Sequence, residues 1–240
     1  MKTDGQLLST KRGHMRREEW KRLYGQELGF FAAISASVTH EIKNHLAIIN
    51  EQNGLLGDML AMDADDGPAY RKRLSKVVQD VADQVTKADA VVRRFNTFAH
   101  TADSPVGAVD IADFLKLFGE ISARLARRKG ATVLVESGAE CVTIRTRPFE
   151  LLHLLFCAMN VLFGSGISKG VLRLRLESDA EGVRVRLSMN EDNEAAGTQS
   201  SDPALPLLLQ RLQARLVFAS DGTGLTLELP MELVEDRGGI

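Results

Sequence analysis

The segment Val38-Thr39-His40-Glu41-Ile42-Lys43-Asn44 sets an imidazole beside a carboxylate and one helical turn before a carboxamide. Residues four apart share a face of a helix, so His40 and Asn44 project together and Glu41 flanks them. This trio suits the making, handing on and breaking of a phosphoryl–nitrogen bond. A solvated imidazole is substantially neutral and nucleophilic near neutral pH. A carboxylate placed like that of Glu41 can hold one ring nitrogen, fix the tautomer and leave the other nitrogen free to attack phosphorus. The Asn44 amide can orient a water for in-line hydrolysis of a phosphoryl group on a partner. An isolated His-Glu pair on a helix is commonly a solvated surface pair, so the reading depends on the elements that carry it.

Residues from about Arg16 to Met62 contain no proline. Phe31, Ile34, Val38, Ile42, Ile49, Leu56 and Met59 recur at spacings of mostly three, four or seven, which is helical and close to a heptad seam. Val38 and Ile42 point to that seam, so His40 is expected to face solvent. The run Asp63-Ala64-Asp65-Asp66-Gly67-Pro68 stops the helix in a turn. A second helical stripe follows from about Ala69 to His100, through Leu74, Val77, Val81, Val85, Ala88, Val92 and Phe95. Two long helices joined by a short turn form an antiparallel hairpin. One hairpin cannot bury both stripes, whereas two can pair as a four-helix bundle, so a homodimer is expected.

Past a linker at Thr101–Pro105 the pattern changes. Val109–Lys129 reads as a helix. Thr132–Val135 and Cys141–Arg145 read as strands around a turn at Gly138. Pro148 opens a helix reaching about Phe163, with proline in a favoured first-turn position. Val171–Glu177 and Val183–Met189 alternate with period two. A short helix at about Leu205–Leu216 precedes a closing hairpin, Val217–Ser220 with Leu225–Leu229. The order implies an α+β chain: a helical hairpin, then a two-layer α/β sandwich. The polar, acidic stretch Asn190–Asp202 is expected to be mobile.

Composition narrows the partners. Thirty basic against 32 acidic residues leave no broad basic footprint for nucleic acid. The apolar fraction of 44% supports a full core. The longest apolar run, Leu151–Phe163, is too short to span a bilayer, and the amino terminus has no signal-peptide pattern. Cys141 and Cys157 carry no pairing or zinc signature, which fits a reducing cytoplasm. His14, His100 and His153 have no metal-ligand spacing.

With Leu46, Ala47 and Ile49 added, the stretch from His40 resembles the H box of two-component sensor histidine kinases, His-Glu-[Ile/Leu]-[Lys/Arg]-[Asn/Thr]. His45 stands where many members carry proline. The resemblance covers most of residues 28–230. It implies an amino-terminal arm at 1–27, a dimerisation and phosphotransfer domain at 28–102 and an ATPase-like domain at 106–235. His40 would be the phosphoacceptor, assisted by Glu41 and Asn44. The family's nucleotide motifs are not matched. The two N-box asparagine positions fall on Cys157 and Val161, with Asn160 one residue off. Met189-Asn190-Glu191-Asp192-Asn193 replaces Asp-x-Gly-x-Gly, and Ala204-Leu205-Pro206-Leu207 replaces Gly-Leu-Gly-Leu. Without glycines the backbone cannot readily approach phosphates there.

The resemblance therefore implies a histidine phosphotransferase that exchanges phosphate between His40 and receiver-domain aspartates of response regulators. It would not phosphorylate itself from ATP. No cofactor is expected on this chain, because receivers supply their own Mg2+. Input would come from a partner or from the arm. Two other readings stay open: a sensor kinase with a divergent ATP site, and a non-catalytic module that docks receivers.

Overall fold

The computed structural model describes residues 17–61, 67–136, 142–164, 170–178, 182–189, 202–219 and 224–234. The turn at 62–66, the turn around Gly138, Cys141, His14 and all of the acidic stretch 190–202 except Asp202 lie outside them. The chain divides into two compact units: Ala33–Thr97, and residues up to Ala32 together with Phe98 onward.

The first unit is the helical hairpin. Helix α1 runs Arg17–Ala61 and helix α2 runs Pro68–His100. Proline opens α2, where its missing N–H costs nothing. Ile34, Val38 and Met59 of α1 and Val77 and Val91 of α2 are buried. The Tyr70 hydroxyl donates to the Met59 carbonyl at 2.6 Å and fastens the two helices near their turn. Further along, His45 Nδ1 and Gln84 Oε1 are 2.8 Å apart. A second apolar series stays in solvent at heptad spacing: Ile48 and Leu55 on α1, and Val78, Val85 and Val92 on α2. Val85 is 51% exposed and Val92 40%, so the hairpin buries only part of its apolar surface.

The second unit is a two-layer sandwich. Its sheet has the order β2-β4-β5-β7-β6, with β2 Ala131–Glu136, β4 Gly170–Ser178, β5 Gly182–Ser188, β6 Arg215–Phe218 and β7 Gly224–Pro230. The β2–β4 pair is parallel and the remaining pairs are antiparallel. Leu172, Leu174, Val185, Leu187 and Leu227 form its buried face. Helices α3 (Ile111–Arg128), α4 (Pro148–Gly164) and α5 (Leu205–Arg211) complete the core. Gly119 lets α3 lie close on β2, since a Cβ there would come within 2.8 Å of Val135 Cγ2.

Three sequence expectations need correction. The segment read as the start of a helix at Val109 is a strand, β1 (Gly107–Asp110), and α3 begins at Ile111. Asp110 ends the strand and caps the helix, accepting the Asp113 N–H at 3.0 Å. The strands at 131–136 and 143–146 are not partners. The second, β3 (Thr143–Thr146), pairs antiparallel with β1, and β2 pairs with β4. Helix α5 also ends early. Gln213 adopts a positive φ of 51°, which turns the chain directly into β6.

Residues 17–32 of α1 pack within this second unit. Leu23 and Phe30 are buried. The Phe30 ring stacks on the His153 ring of α4 at 4.9 Å and 5°, and lies 5.1 Å from Phe156 and 5.6 Å from Phe149. Phe98 meets Phe30 edge-on at 5.6 Å. Offset and edge-on contacts at these distances are the favoured aromatic geometries.

Candidate functional site

In the helical unit His40 is exposed on α1, and Asn44 is exposed one turn further on. Val38, two residues before His40, is buried, which turns the imidazole outward. Glu41 is half-buried. Its Oε1 lies 3.7 Å from Arg94 Nη2 on α2, an ion pair across the hairpin. Neighbouring helical residues diverge by about 100°, so Glu41 leans to the second helix while His40 points to solvent. Among the described residues no hydrogen bond joins the two side chains. The geometry thus brings together His40 and Asn44 on one face and anchors Glu41 beside them through Arg94. Sequence reasoning did not find Arg94, nor the His45–Gln84 contact. Opposite charge at matching heights on two helices was the available signal, but it needs the register of the hairpin.

In the sandwich unit, the two N-box positions on α4 are closed. Cys157 is fully buried, and Val161 is 8% exposed. Burial pushes the Cys157 thiol well above the usual range, and the adjacent Asp202 carboxylate adds to this. Asn160 is half-exposed on a different face. At the start of α5, Ala204 and Leu205 are buried, and the Ala204 N–H donates to Asp202 Oδ1 at 2.9 Å. The Asp202 carboxylate thus lies just before this short helix, whose first turn has no side-chain cap. The Met189 end of β5 is buried, whereas the residues that follow it lie outside the described set.

Polar groups deep in α4 are managed by pairing or by neutrality. Glu150 is buried and takes both arms of the Arg211 guanidinium, Nε to Oε2 at 2.7 Å and Nη2 to Oε1. The same guanidinium stacks 4.2 Å from the centre of the Trp20 ring. His153 is buried under Phe30, and its Nδ1 has no hydrogen-bond partner among the described residues. Burial holds its imidazole neutral, with a pKa pulled down to about 4 against partial opposition from Asp202. Among the described residues no group of three or more His, Cys, Asp or Glu could hold a metal, and no helix is long and apolar enough to cross a membrane.

No family model matches the chain. It is 25% identical over 218 residues to the sensor protein kinase PilS of Pseudomonas aeruginosa, covering 88% of this chain and 37% of that relative. The chain therefore spans little more than a third of the curated relative it matches. Among solved structures, the histidine kinase AdeS of Acinetobacter baumannii aligns with 80% of this chain and 98% of its own, at 11% identity and a TM-score of 0.43. A bacterial phosphotransferase aligns with 90% of this chain and 98% of its own, at 16% identity and a TM-score of 0.40. A complex of the histidine kinase ThkA with the response regulator TrrA aligns with 89% of this chain and 65% of its own, at 14% identity and a TM-score of 0.41.

Proposed function

We propose that this relative of the two-component sensor histidine kinases is a histidine phosphotransferase, exchanging phosphoryl groups between His40 and receiver-domain aspartates without using ATP. The observation that carries the reading is an intact, solvent-facing His40–Asn44 face combined with closed N-box positions at Cys157 and Val161. Nε2 of His40 attacks the phosphorus of an aspartyl phosphate. The bond from phosphorus to the aspartate oxygen breaks, and the aspartate leaves as a carboxylate. The proton on Nδ1 passes to a base or to solvent, with Glu41 the nearest carboxylate in sequence. The return reaction reverses each step. Receivers bring their own Mg2+, so the chain needs no metal of its own for this chemistry.

The closed helix positions support the absence of nucleotide use, and the Asp202 carboxylate just before α5 is a poor neighbour for a polyanion. The exposed heptad series Val78, Val85 and Val92 supports pairing of two hairpins into a four-helix bundle. The test is incubation of the full chain with phosphorylated receiver domains from the same cell, and separately with Mg2+ and radiolabelled ATP. Acid-labile label arriving on wild type from a receiver, and lost in His40→Gln, is the expected result. Labelling of His40 directly from ATP would instead make the protein an autokinase. No labelling from any receiver would leave a docking module as the better account.

A further inference from the structure

The sandwich unit holds an open cleft of about 310 Å³, at the small end of the range that suits a low-molecular-weight ligand. Tyr24 and Phe31 of α1 and Phe149 of α4 supply aromatic walls, and Glu27 and Glu150 bring carboxylates to it. Of the two guanidiniums near the cleft, Arg211 is committed to Glu150, and Arg147 keeps only a long contact with it. Arg211 takes it through two hydrogen bonds, and Arg147 Nη1 lies 4.0 Å from its Oε1. Glu27 is half-buried and takes no hydrogen bond among the described residues. Its proton affinity is raised by burial first and by Glu150 second, against the pull of Arg211. A carboxylate short of a donor, beside electron-rich ring faces, is the combination that selects positive charge on an apolar body.

We propose that this cleft binds a small organic cation, an amidinium or ammonium on a flat apolar frame, with Glu27 receiving the charge and Tyr24, Phe31 and Phe149 enclosing the frame. The proposal does not depend on the chemistry of His40. An anion is disfavoured because Arg211 is held by Glu150 and the cleft presents the carboxylates of Glu27 and Glu150. Nucleotide phosphates are disfavoured for the same reason.

The experiment is calorimetric titration of the full chain with benzamidine, with benzoate and benzyl alcohol as shape-matched controls. Benzamidine should bind, and both controls should bind at least tenfold more weakly. Glu27→Gln keeps the shape of the side chain and should weaken benzamidine at least tenfold. Tyr24→Ala, at a residue 69% exposed and therefore safe for folding, should weaken it several-fold. Circular dichroism of each variant establishes that the fold is intact. Absence of benzamidine binding, tighter binding of benzoate, or an unchanged affinity in folded Glu27→Gln would each overturn the proposal. Neither result bears on phosphate transfer at His40, which is read separately.

Discussion

His153 makes the stability of the sandwich unit sensitive to acid in a way that can be worked out in advance. In the folded chain its imidazole is buried, stacked on Phe30 and kept neutral to about pH 4, whereas unfolding returns it to its ordinary value of 6.5. Between those limits the unfolded chain binds the proton and the folded chain does not, so stability falls as pH falls through this window. At pH 5 the loss is about 2 kcal/mol relative to pH 8, and it levels off below about pH 4 near 3 kcal/mol. His153→Phe keeps a ring against Phe30 and removes the titration. Denaturant unfolding followed by the fluorescence of Trp20, the single tryptophan and part of the same unit, reads both proteins from pH 8 to pH 5. The wild-type curve should drop below the variant's by about 2 kcal/mol over that range, whatever constant offset the larger ring introduces. Parallel curves would show that His153 is protonated in the folded protein, and the account of its burial would be wrong.

Arg211→Ala leaves Glu150 buried with only the longer Arg147 contact, so it should destabilise the sandwich unit by about 3–5 kcal/mol, read as a shift in denaturation midpoint. The double change Glu150→Leu with Arg211→Leu should recover most of that loss. Val85→Glu with Val92→Glu places charge on the exposed heptad face, and light scattering of the full chain should report a dimer for wild type and a monomer for the variant. Arg94→Ala releases Glu41 from a part-exposed ion pair. Such pairs contribute up to about 1 kcal/mol, so transfer to His40 should slow about two- to fivefold, with the dimer unaffected.

What could be read in the sequence follows from the range of each signal. The two hairpin helices, α4 and strands β4, β5 and β7 are long, strongly periodic segments, and their own residues specify them. Pairing partners are another matter. Gly138 between two β-prone segments looks like a hairpin turn, but β2 joins the edge of the five-stranded sheet beside β4, with Val133 and Val135 packing under α3, and β3 is left to pair with β1. The β1 strand was hidden because Val109 and Ile111 continue an apolar helical pattern. Only the cap geometry of Asp110 marks the boundary. The exposure of His40 was legible from its buried neighbour Val38. The Glu41–Arg94 pair and the cleft at Glu27 were not, since each joins residues far apart along the chain.

Helix α1 is unbroken for 45 residues, and it carries both the Phe30 stack and His40. Each residue added to a helix turns everything beyond it by about 100°. The nine positions between Phe30 and His40 therefore set a phase by their number, besides the packing that Ile34 and Val38 among them provide. Inserting or deleting one of them would rotate the imidazole about the helix axis to a different side while leaving every motif in the sequence intact. Seven added residues would bring it back to within about 20°. Chains that share this design should therefore keep this stretch's length or change it by about two whole turns, and keep apolar residues at the positions of Ile34 and Val38.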